Sequence, residues 1–74
     1  MMTEAPLTAE HVGKFTVIWT GDRSLPVQII SVGGGLCGWA VLDKTALLRS
    51  GKVRYDEKKP VRIYDTAEEA KESL

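Results

Sequence analysis

Val27-Gln28-Ile29-Ile30-Ser31-Val32-Gly33-Gly34-Gly35-Leu36-Cys37-Gly38-Trp39-Ala40-Val41-Leu42 admits two incompatible readings. Its centre, Gly33-Gly34-Gly35-Leu36-Cys37-Gly38, is a literal G-x-G-x-x-G behind an apolar run. In a dinucleotide-binding unit such glycines open a helix whose N-terminus receives a pyrophosphate. A helix must then come next, and a second parallel strand after it. The next residues are instead Trp39-Ala40-Val41-Leu42, which read as strand, and a complete nucleotide-binding fold is longer than 74 residues. The glycines therefore read as a turn between two antiparallel strands, over 27–32 and 36–42. Val27 to Val32 is apolar at nearly every position, as a strand covered on both faces would be. In the second strand Cys37, Trp39 and Val41 share a face opposite Leu36, Gly38, Ala40 and Leu42. Gly38 is expected at a bulge or a close backbone approach, with a tryptophan ring as its neighbour.

Outward from this hairpin the same grammar continues. Lys14 to Thr20 alternates as a strand, with Phe15, Val17 and Trp19 on one face and Thr16, Ile18 and Thr20 on the other. Gly21-Asp22-Arg23-Ser24 is a turn, and Pro26 suits the first position of the next strand. Leu7 to Gly13 reads as one helical turn with Thr8 as N-cap and Gly13 in the left-handed position after it. Residues 1–6 have no periodicity and are expected as a flexible tail before a single domain over 7–74. Asp43 to Gly51 fits either a short helix or an irregular crossing loop with Leu47 and Leu48 turned inward. Lys52–Tyr55 and Pro60–Tyr64 read as a hairpin across Asp56-Glu57-Lys58-Lys59. Thr66-Ala67-Glu68-Glu69 matches a capping box, and Ala67, Ala70 and Leu74 give the helix behind it a modest apolar stripe.

These elements define an α+β domain: a small, strongly twisted antiparallel sheet of about five strands with a C-terminal helix. A partly open barrel is the alternative closure. The expected core is Phe15, Val17, Trp19, Val27, Ile29, Trp39, Val41, Val53 and Ile63. At this length one core supplies only about 3–5 kcal/mol of net stability. Cys37 is the single cysteine, so no internal disulfide adds to it.

Composition removes several classes of function. No apolar run reaches the roughly 20 residues of a membrane-spanning helix, and the first residues lack the pattern of a secretory signal. No membrane partner is expected, and a cytoplasmic setting is. A metal site is not expected either, because one histidine and one cysteine make no zinc cluster. Cys37 has apolar neighbours and no adjacent base, which describes a buried structural thiol rather than a nucleophile. His11 reads as a surface or capping side chain. The carboxylates are scattered or sit at the final helix start, so neither an enzyme nor a cofactor is expected.

Charge is the most informative remaining feature. The chain has zero formal net charge, yet residues 44–62 hold seven basic residues against Asp56 and Glu57, a formal +5. On a hairpin Lys52 and Arg54 would project from one face, Arg62 beside them, and Tyr55 would be available for stacking. These four are the candidate partner-binding residues. The leading expectation is a non-catalytic interaction module that binds another protein or a second copy of itself. The alternative is a small nucleic-acid-binding protein that uses the basic 44–62 stretch, a case weakened by the zero net charge. Gly51-Lys52-Val53-Arg54-Tyr55 followed by Val61 to Ala70 resembles the final strands and helix of the arm-binding domains of tyrosine integrases, which lay a three-stranded sheet against DNA. The resemblance covers only residues 51–74, and residues 44–51 depart from that family's continuous meander.

Overall fold

The computed structural model describes residues 1–42, 45–46 and 49–74. Its spine is the expected hairpin, β3 (Ser24–Gly33) and β4 (Leu36–Val41). Gly33 pairs with Leu36, so the turn is the two residues Gly34 and Gly35, with φ of 61° and 75°. Two consecutive positive φ values make a turn whose twist matches that of the flanking strands, and glycine adopts them without steric cost. The residues of the apparent nucleotide motif thus open a strand.

The remaining strands are β1 (Met2–Pro6), β2 (Phe15–Trp19), β5 (Ser50–Arg54) and β6 (Pro60–Tyr64). All six form one sheet in the order β1-β6-β2-β3-β4-β5, and every paired neighbour is antiparallel. The sheet is not closed into a barrel, since β1 and β5 stand at its two edges. Two expectations change here. Residues 2–6, expected as tail, form an edge strand in register with β6, from Met2 opposite Tyr64 to Pro6 opposite Pro60. The expected 52–64 hairpin does not form either: β5 pairs with β4, whereas β6 lies between β1 and β2. The continuous meander implied by the integrase resemblance is therefore not present. In a flat sheet four strand spacings would put β5 and β6 about 19 Å apart, near the limit of their short connection. Tyr55 and Val61 nevertheless pack on the same core cluster, so the sheet curls.

Bulges in and beside β3 help it curl. Ile29 pairs with Trp39 but Ser31 with Gly38, which leaves Ile30 as an extra residue, turned outward and 50% exposed. The strand expected to be covered on both faces thus alternates, with Val27 and Ile29 buried and Ile30 and Ser31 exposed. Gly38 does sit at this bulge, but its close neighbour is the Ser31 hydroxyl rather than a tryptophan ring. On the other side Gly13 (φ 93°) donates its N–H to the Ile29 carbonyl while the Ile29 N–H donates to Lys14. That is a glycine bulge, a different use of the positive φ expected at Gly13. Pro26 lies inside β3 rather than at its start. Its carbonyl accepts from the Leu42 N–H just past β4, so its missing N–H falls where the ladder has already ended.

The core divides into two clusters. Leu7, Ile29, Cys37 and Ile63 form one, and Leu25, Val27 and Trp39 the other. Among the described residues Val27, Ile29 and Ile63 are the largest fully buried side chains, each worth about 1.5–3 kcal/mol of apolar burial. Trp19 does not join them and is 68% exposed. In the β2–β3 register Thr16 and Ile18 face Val27 and Leu25, so they share the core face, while Phe15, Val17 and Trp19 take the other. Val53 faces Cys37 on the core side, but among the described residues no strand lies beyond β5 and it stays 42% exposed. Phe15, Val17 and Val41 are half-buried.

Helix α1 (Ala67–Glu72) packs against β2, β3 and β6, with Ala70 completely buried. Thr66 caps it as expected, its hydroxyl accepting from the Glu69 N–H at 3.2 Å, a contact worth about 1 kcal/mol. Leu74 lies past the helix end and is exposed, so the apolar stripe stops at Ala70. The early helical turn is a 3₁₀ turn over Ala9–His11, and His11 is a capping side chain: its Nδ1 accepts from the Thr8 N–H at 3.0 Å. Of the helix expected after Asp43, residues Asp43, Lys44, Leu47 and Leu48 lie outside the described residues; Ala46 is buried and not helical. No helix among the described residues is long and apolar enough to cross a membrane.

Candidate partner-binding groove

A groove arises where β2 and β6 part. They share a single register pair, Phe15 with Tyr64. One residue further on, the Arg62 carbonyl points towards β2 and accepts from the Thr16 hydroxyl at 2.7 Å rather than from a backbone N–H. Pro60, two residues earlier on the same side of β6, brings no N–H at all. The seam therefore opens into a solvent-accessible groove of about 760 Å³. Val17 and Ile18 line one side, Val61 and Arg62 another, and Val53, Arg54 and Tyr55 close it from the far edge of the sheet.

Three of the four candidate residues meet here. Arg54, Tyr55 and Arg62 all line the groove, brought together by the curl of the sheet and not by a hairpin. Lys52 does not line it. In the β4–β5 register Lys52 faces Gly38 and Arg54 faces Leu36, so both side chains leave β5 on the face opposite Val53. Arg54, at the strand end, is nevertheless one of the residues that line the groove. Arg62 stands across from Glu4 on β1, yet no Asp or Glu among the described residues lines the groove. Among the described residues no ion pair engages Lys52, Arg54 or Arg62, whereas Lys14 pairs with Asp65 at 2.7 Å.

The groove holds little reactive chemistry. Cys37 lines it and is buried, and that burial pushes its thiol above the ordinary value. Burial first, then the negative charges of Glu57 and a Cys37 thiolate, raise the Tyr55 phenol. Both groups are neutral near pH 7. The His11 Nδ1 is occupied by the Thr8 N–H. No group of three or more His, Cys, Asp or Glu side chains among the described residues gathers to hold a metal ion. What the groove offers is an apolar trough with two arginines, Arg54 and Arg62, among its lining residues. Nothing in the local sequence marks the contributions of Thr16, Val17 and Ile18, and Pro60 is the one local sign that β6 has an unpaired side.

Comparison with protein-family models, curated proteins and solved structures finds no match for the chain.

Proposed function

We propose that this chain is a non-catalytic protein-interaction module whose groove holds an anionic segment of a partner protein. One observation carries this reading: Arg54 and Arg62, from strands that are not neighbours, both line an apolar trough to which no Asp or Glu among the described residues contributes. Guanidinium groups suit carboxylates through paired, planar hydrogen bonds, and the apolar walls favour a ligand with side chains to bury. A bare phosphate backbone would leave those walls uncovered. A cytoplasmic setting goes with the reading, since the one thiol has no internal disulfide partner.

The experiment is a fluorescence-anisotropy titration of the full chain at low salt with two labelled probes. One is a 12-residue peptide of equal parts Glu and Val with its glutamates grouped together; the other is a 12-nucleotide single-stranded DNA. The peptide is expected to bind more tightly and to lose at least about tenfold in the Arg54→Gln/Arg62→Gln variant, since a charge-assisted bond is worth about 1.5–3 kcal/mol. Tighter binding of the oligonucleotide, with loss on neutralising Lys52 and Arg54, overturns the reading in favour of nucleic acid. Binding of neither probe overturns both.

A further inference from the structure

The outer edge of β5 borders the groove and has a defined hydrogen-bonding pattern. The Tyr55 N–H donates to the Gly35 carbonyl at 3.0 Å, and the Arg49 carbonyl accepts from Val41 at 2.9 Å. Alternation between them turns the backbone groups of Gly51 and Val53 towards β4. Those of Ser50, Lys52 and Arg54 therefore point away from the sheet, and β5 is the last strand on that side. Three consecutive outward positions without proline form a complete template for another strand. The side chains alternate as well. Lys52 and Arg54 go to one face, while Val53 goes to the other, lines the groove and remains 42% exposed.

The charges on this edge select what can pair with it. If β5 met a second copy of itself antiparallel about Val53, Lys52 would stand directly opposite Arg54 of the other copy. A shift to centre on Lys52 or on Arg54 sets that cation against itself. Like charges directly opposite are destabilising in a ladder, and opposite charges are favourable. The other edge of the sheet differs. The Arg62 carbonyl faces β2, so Glu4 across from it presents its backbone outward, together with a carboxylate, and Pro6 ends that edge without an N–H. An acidic strand is therefore repelled at β1 and attracted at β5.

We infer that β5 accepts an extended segment of a partner protein as a seventh strand, and that the segment alternates acidic and apolar residues. Its carboxylates lie beside Lys52 and Arg54, and its apolar side chains turn over Val53 into the groove. The inference rests on the groove being a protein-binding site and specifies how the partner is held: main-chain bonds supply affinity, and the alternating side chains supply selectivity.

The test uses the full chain with two 12-residue peptides of identical Glu and Val content, one strictly alternating and the other with the glutamates grouped. The alternating peptide is expected to bind at least about tenfold more tightly. It is also expected to slow amide hydrogen exchange at Lys52 and Arg54 by at least tenfold, as followed by NMR. Methylating alternate peptide nitrogens should abolish binding for one set of positions and spare it for the other. Equal binding of both peptides, without protection at Lys52 and Arg54, overturns strand addition and leaves the interaction-module reading standing. Binding of neither peptide overturns both. Protection of these two amides in the free protein that disappears on dilution assigns the edge to a second copy of the chain and also overturns the inference.

Discussion

Gly51 lies beneath the indole of Trp39, and a single methyl group there tests the packing of the whole β4–β5 edge. A Cβ on residue 51 would sit 2.8 Å from Cζ2 of Trp39, 3.3 Å from Cε2 and 3.4 Å from Cη2. The ring is 6% exposed and belongs to the cluster with Leu25 and Val27, so it has little room to retreat. Forcing an extra carbon into such a site typically costs about 1–3 kcal/mol. Replacing a strand glycine with alanine returns about 0.5–1 kcal/mol of backbone entropy, which leaves Gly51→Ala destabilised by about 1–2 kcal/mol. That is a large share of the roughly 3–5 kcal/mol available at this size, and it corresponds to a fall in Tm of about 5–15 °C. Trp39→Phe removes the crowding atoms. Its own cost is tempered because the buried Trp39 Nε1–H has no partner among the described residues, and an unsatisfied donor is worth about 1–3 kcal/mol when removed. Urea unfolding of the two single variants and the double variant closes the cycle. In the Trp39→Phe background Gly51→Ala is expected to cost at least about 1 kcal/mol less than in the native background, beyond the roughly 0.3–0.5 kcal/mol within which independent sites add. Equal costs in both backgrounds refute the claim that the indole occupies the space above Gly51.

Stability should have a plateau with two identifiable edges. The hydrogen bond from Lys14, then that from the Met1 ammonium, holds the Asp65 carboxyl below its ordinary value, so its contribution is lost as pH falls below about 4. The hydrogen bond to Glu69 leads the rise of the Met1 amine above its ordinary value, so its contribution is complete below about pH 8 and fades above it; a urea midpoint that still climbs past pH 9 contradicts this pairing. At Gly34 (φ 61°), replacement by Asn, which tolerates the left-handed region, should leave the urea midpoint nearly unchanged, whereas Val should cost at least about 1–2 kcal/mol; equal effects would contradict the turn assignment. Cys37 is 4% exposed, so a thiol reagent should label the native chain at least about a hundredfold more slowly than the urea-unfolded chain, each 1.4 kcal/mol of opening free energy being tenfold; comparable rates would place the thiol at the surface.

Features fixed by chemistry within a few residues were legible in the sequence. Gly34-Gly35 announced a turn because few other residues adopt two positive φ values in succession. Thr66 announced a helix start through a side-chain acceptor three residues from its donor. What alternation does not reveal is which of two faces is the inner one. Phe15-Thr16-Val17-Ile18-Trp19 has large apolar groups on both, and only the register against Leu25 and Val27 turns Thr16 and Ile18 inward and leaves Trp19 exposed. Strand pairing failed for a related reason. The turn residues between Arg54 and Pro60 suit a hairpin as well as they suit the crossing that occurs, and the outer partner of β6 comes from the start of the chain. A trace of that pairing was present: Pro6 and Pro60 stand opposite each other, two residues without N–H groups that suit a position where the ladder needs none.

The basic residues illustrate how a local feature changes meaning when the topology changes. On a hairpin Lys52, Arg54 and Arg62 would form one flat cationic ribbon, suited to a broad anionic surface such as a phosphate backbone. In the curled sheet β5 and β6 lie across a groove from each other instead of in a ladder, so Arg54 and Arg62 both line it while Lys52 does not. On the proposed reading, a pair of cations beside an apolar trough would discriminate by shape as well as by charge, because a ligand would place its carboxylates while burying something between them. The zero net charge of the chain then counts for less than it would for a protein drawn to nucleic acid by its overall field. At contact distance the local field governs, and the charged side chains among the described lining residues are those of Arg54 and Arg62.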